Sequence, residues 1–69
     1  MKLLHYINDE GDDVVIAVKE ISSFYKKNEK LGLIIIMKGI ESGYRRFFEN
    51  ADQLDRAYLE VYRLMEQEV

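Results

Sequence analysis

No cysteine, tryptophan or proline occurs in the 69 residues, and histidine occurs once, as His5. Without cysteine there is no disulfide, no thiolate zinc ligand and no cysteine nucleophile, and one histidine cannot build a histidine-rich metal site within a single chain. Long hydrophobic runs are missing as well. The longest, Leu31 to Met37 with Gly32 inside it, is far short of the about 20 residues that cross a bilayer. Met1 to Leu4 is followed by His5, Tyr6 and the polar stretch Asn8 to Asp13, so the apolar segment of a secretory signal is absent. The expected location is the cytoplasm, with no membrane partner.

What is there suits one small folded domain: the chain is 48% hydrophobic and 33% charged with a net charge of −3, and it has too many aromatic and branched residues for a disordered segment. For this mass, about 12,000 Å² of unfolded surface would contract to about 4,500 Å². That leaves a thin core with no disulfide or metal to brace it, so self-association is a natural route to stability. Charge is unevenly spread. Residues 1–13 sum to −3, residues 14–48 to +4 and residues 49–69 to −4.

Turn residues divide the chain into strands followed by a helix. Residues 2–7 alternate as a first strand, with Leu3, His5 and Ile7 on one face and Leu4 and Tyr6 on the other. Asn8 to Asp12 is a turn in which Gly11 supplies positive φ and the short polar side chains bond the local backbone. Residues 14–18, Val-Val-Ile-Ala-Val, form a second strand antiparallel to the first. Residues 21–27 are a further strand or a kinked continuation, with Ile21, Ser23 and Tyr25 opposite Ser22, Phe24 and Lys26. Residues 31–38 form the most apolar strand. Neither of its faces is polar, so both need cover, from a curled sheet or from another subunit. A turn over Gly39 to Gly43 leads to a strand at 44–48.

The period then changes from two to about 3.6. Asn50 and Gln53 are spaced as a capping box, and Leu54, Tyr58, Val61 and Met65, widened by Ala57, Tyr62 and Leu64, form the apolar stripe of a helix over 51–68. The predicted fold is α+β: a small antiparallel sheet of four to five strands followed by one C-terminal covering helix.

Chemistry-bearing groups are sparse. His5 lacks a nucleophile motif or a second histidine beside it and reads as a half-buried packing residue. Asp9, Glu10, Asp12 and Asp13 offer hard oxygen ligands, but their spacing is not that of an EF-hand loop, and they read as a solvated hairpin tip. Gly39 and Gly43 lack the Lys and Ser/Thr of a phosphate-binding loop. No catalytic residue, metal site or cofactor is implied. The basic middle is more suggestive: Lys26, Lys27, Lys30, Lys38, Arg45 and Arg46 interleave with Tyr25, Tyr44 and Phe47. Bases neutralise phosphates and rings stack on nucleobases, which would make this a single-strand-binding sheet.

Gly11, Ile16-x-Val18 followed by Ile21, Ser23, the apolar strand ending at Gly39 and the acidic helix start from Glu49 to Leu54 together resemble the small flagellar FlbD and swarming-motility family. Val18-Lys19 stands where members carry Asn-Pro. The resemblance implies a strand hairpin, further strands, a C-terminal helix and an accessory regulatory role, with no catalytic residues.

Two functional expectations follow. The first is a non-enzymatic interaction or regulatory module of bacterial or phage type, acting as a homodimer through Leu33, Ile35, Met37, Val61 and Met65 and engaging a further protein partner. The alternative is a nucleic-acid-binding accessory protein using Lys26, Lys27, Lys30, Arg45, Arg46 and Tyr44.

Overall fold

The computed structural model describes residues 2–39 and 43–68. Strands β1 (Leu3–Ile7) and β2 (Asp13–Ala17) form an antiparallel ribbon. Strands β3 (Ile21–Lys27), β4 (Gly32–Met37) and β5 (Tyr44–Phe47) form a second antiparallel sheet in that order, and helix α1 (Ala51–Glu68) follows. The α+β class is as predicted. The single sheet is not, because β2 and β3 do not pair and the strands divide two and three.

The division falls at one short turn. A 3₁₀ turn at Val18–Glu20 separates β2 from β3, and Val18 is buried at its centre. The chain is pinned there by its own hydrophobic side chain and leaves the ribbon in a new direction. Residues 21–27 are thus a separate strand belonging to the other sheet.

The hairpin turn of the ribbon is built as its residues suggest. Asn8 Oδ1 accepts from the backbone N–H groups of Glu10, at 3.0 Å, and Asp12, at 2.9 Å, while Gly11 takes φ +87°, a conformation that L residues, which carry a Cβ, enter only at a cost. At the helix start Asn50 Oδ1 accepts from the Gln53 N–H at 2.9 Å, and Gln53 Oε1 accepts from the backbone N–H of Glu49 at 3.4 Å. The reciprocal cap is formed, with its return bond one residue earlier than in the standard box.

The core lies between the ribbon, the helix and one face of the three-stranded sheet. Leu4, Tyr6 and Ile16 come from the ribbon, Leu33 and Ile35 from β4, Leu54 and Val61 from α1, and Val18 and Ile21 from the crossover. The inner face of β4 is thus covered within one chain by two elements. A bulge adjusts the sheet to this packing: Ile21 lies opposite Met37 but Ser23 lies opposite Ile36, so Ser22 is an extra residue. The insertion breaks strict alternation and brings Ile21 to the same side as Phe24 and Lys26, whereas uninterrupted alternation would place them on opposite faces. The middle of the expected turn before β5, residues 40–42, lies outside the described residues.

One buried polar group ties the two sheets together. The Tyr6 hydroxyl donates to the Leu33 carbonyl at 2.7 Å across the core. Burial raises the phenol's pKa well above its ordinary value, with Asp9 adding to the rise and the Arg46 guanidinium opposing it. A raised pKa means that the neutral form is favoured in the folded state. The stability it contributes is whole below pH 10 and is lost as pH rises above the unfolded tyrosine value. Tyr6→Phe is expected to cost about 1–2 kcal/mol through the lost bond and to flatten the fall in stability above pH 10. Urea titrations of both proteins from pH 7 to 11 check this.

Candidate functional site

Because the core consumes one face of each sheet, the surface available for function is what the other faces carry. On the ribbon, Leu3 pairs with Ala17, His5 with Val15 and Ile7 with Asp13. Leu4, Tyr6 and Ile16 point inward, and Leu3, His5, Ile7 and Val15 point out. Val15 is 56% and Leu3 50% exposed. This is an aliphatic face whose strand residues bear a carboxylate only at one end, at Asp13. His5 sits at its centre, exposed beside Val15, and is not held in the half-buried packing position expected for it.

On the three-stranded sheet the outer face comprises two complete rows. Tyr25, Ile34 and Arg45 lie side by side across β3, β4 and β5, and Lys27, Gly32 and Phe47 lie in the next row. Ile34 is only 5% exposed yet stands apart from the main core. Its cover is local. The Phe47 ring lies so close over Gly32 that a Cβ built there would meet it at 3.0 Å, with Ile34 Cδ1 at 3.7 Å, and Tyr25 flanks Ile34 directly on the other strand. Both rings stay about half exposed.

The residues expected to form a dimer contact are placed differently. Leu33, Ile35 and Val61 are buried in the chain's own core, and Met37 and Met65 pack against it. They hold the fold together and offer little to a second chain. Along the helix, Leu54 and Val61 are buried and Ala57, Tyr58, Leu64 and Met65 pack beside them, while Tyr62, expected to widen the stripe, is exposed together with Leu59.

The basic residues also divide by strand alternation. Lys26 points to the helix side, bonds Asp55 at 2.8 Å and lies 4.9 Å from the centre of the Tyr58 ring. Arg46 lies over the Phe48 ring at 4.7 Å, and Tyr44 meets Tyr6 edge-on with centroids 6.3 Å apart. Lys27 and Arg45 take the opposite face, and Lys30 sits exposed in the β3–β4 turn. Arg45 is within 3.5 Å of Asp9, an exposed pair worth less than about 1 kcal/mol. The six expected residues are therefore not one surface. Tyr25 and Phe47, not Tyr44, are the rings that share a face with Lys27 and Arg45, a fact that follows from residue parity once the register is known.

A cleft of about 170 Å³ opens between β1, β4, β5 and α1, with Tyr6, Arg46 and Glu60 among its lining residues. Its described lining, which includes His5, has no serine, threonine or cysteine to act as nucleophile. Among the described residues, no group of three or more His, Asp or Glu is arranged to hold a metal ion, and no helix is long and apolar enough to cross a membrane. No protein-family model, curated protein or solved structure matches this chain.

Proposed function

We propose that this chain is a non-enzymatic interaction module of the cytoplasm that self-associates through the outer face of its β1–β2 ribbon. The observation that carries the reading is the exposure of Leu3, Ile7 and Val15 together around His5, with no charged side chain between them. A two-fold stacking of this face on itself would bring aliphatic groups together and place no like charges opposite one another at its centre. The folded surface supports it: 4960 Å² exceeds the about 4,500 Å² of a compact monomer of this mass. The resemblance to the FlbD family points to the same kind of role, an accessory regulator with no chemistry of its own, which would act by presenting surfaces to a further protein.

Two ribbon faces together would bury less than about 1,000 Å², the size of a weak and transient interface. Sedimentation equilibrium should therefore show a mass that rises with concentration between the micromolar and millimolar ranges. Val15→Lys places a charge in the middle of the contact at an exposed strand position. It is expected to change folding stability by no more than about 0.5 kcal/mol while abolishing the rise in mass. A wild-type protein that stays monomeric throughout, or a Val15→Lys protein that associates as well as the wild type, contradicts the proposal.

A further inference from the structure

The three-stranded sheet presents a second outer face, separate from the ribbon, with its own chemistry. Tyr25 and Lys27 on β3 and Phe47 and Arg45 on β5 occupy the four corners of a patch whose floor is Ile34 and Gly32. The two rings lie on one diagonal and the two cations on the other. We infer that this patch binds single-stranded nucleic acid, the rings stacking on bases and the cations holding phosphates.

Three observations carry the inference. The rings are about half exposed on a sheet that holds them apart, and two strand spacings of about 4.8 Å with a two-residue offset of about 7 Å along the strands set their positions about 12 Å from each other, room for two separate bases. Phe47 is propped by the backbone at Gly32, where no side chain competes for the space, so its position is set before a ligand arrives. The charges are segregated: Lys26 with Asp55 and Phe24 with Tyr58 fix the helix against the opposite face of the sheet, and the helix carries five acids against two arginines. The helix acids that this contact fixes, Asp55 among them, thus lie across the sheet from the patch, and the carboxylate recorded beside one of the patch cations is that of Asp9.

Charge also selects among occupants. A second copy stacked on this face would gather four cations over two rows that contain no carboxylate, which disfavours self-pairing here. A ligand that is anionic and also offers flat rings matches both diagonals, which an acidic peptide does not. The Asp9 carboxylate near Arg45 is exposed enough to be displaced by a phosphate.

Fluorescence anisotropy with a labelled twelve-nucleotide oligothymidylate, on full-length protein at 20 and 200 mM salt, tests the assignment. Binding at 20 mM salt that weakens at least tenfold at 200 mM is expected. Tyr25→Ala should weaken it about tenfold, and Lys27→Glu with Arg45→Glu should abolish it. Lys26→Gln with Arg46→Gln, on the other side of the sheet, should leave it within about twofold. Circular dichroism confirms that each variant is folded. No binding at 20 mM salt, binding indifferent to Tyr25→Ala, or equal competition by polyglutamate overturns the inference, the last marking a site for acidic protein instead. Val15→Lys, which tests the ribbon, leaves all four corner residues in place, so either proposal fails without the other.

Discussion

Ile35→Asp is expected to leave no folded protein in water at 25 °C. Ile35 is fully buried at the centre of β4, the middle strand, with the ribbon on one side of the core and the helix on the other. A carboxylate there would be cut off from water without a cation to pair with, a cost of several kcal/mol, while the whole stability of a chain this small is about 5 kcal/mol. Ile35→Ala separates cavity from charge. It should lower stability by about 2–5 kcal/mol and leave a cooperative urea transition at lower concentration. Retention of the wild-type transition by either variant would mean that Ile35 is not where the packing places it. Because the damage arises inside one chain, neither effect should depend on protein concentration.

Gly43→Ala is expected to be nearly as harmful, for a reason unrelated to hydrophobicity. A Cβ at position 43 would overlap the backbone carbonyl oxygen of Ile35, and it would also sit 2.8 Å from Ile36 Cδ1. A flexible side chain can move aside, but the carbonyl belongs to the central strand and cannot. The expected loss is about 3 kcal/mol, read as a shift in urea midpoint with the slope unchanged. Gly32→Ala gives the contrasting case, since the neighbour there is the Phe47 ring, which can rotate away. It should cost less and should also increase the solvent exposure of Phe47. Equal effects at the two glycines would contradict this distinction between rigid and yielding neighbours.

The rough positions of the strands, the Asn8 turn, the Asn50 cap and the helix were legible in the sequence because each depends on neighbouring residues and on local geometry, although Val18, expected to end the second strand at 14–18, lies in the turn after β2 (Asp13–Ala17). The division into two sheets was not. Val18-Lys19-Glu20 has no glycine, proline or asparagine to mark a turn, and what redirects the chain is the burial of Val18, a tertiary effect. Period two separates Leu3, His5 and Ile7 from Leu4 and Tyr6, yet both sets are apolar enough to face a core. The Tyr6 hydroxyl bonded to Leu33 identifies the inner set, and that bond joins residues 27 positions apart. The basic segment misled for a related reason. Lys26 and Lys27 are adjacent in sequence but lie on opposite faces, so one is paired with Asp55 on the helix and only the other is left beside the exposed rings. The bulge at Ser22 hid a further part of the pattern, because one inserted residue changes which side chains share a face with Ile21.

The ribbon face as the self-association surface is tested most directly by recording amide proton–nitrogen spectra of the wild-type protein over a dilution series from millimolar to micromolar concentration. Concentration-dependent shifts confined to β1 and β2, largest at Leu3, His5, Ile7, Val15 and Ala17, are predicted, with Tyr25, Arg45, Phe47 and the helix unchanged. Shifts centred on the three-stranded sheet or on the helix, or spectra that do not change with concentration at all, would contradict the account.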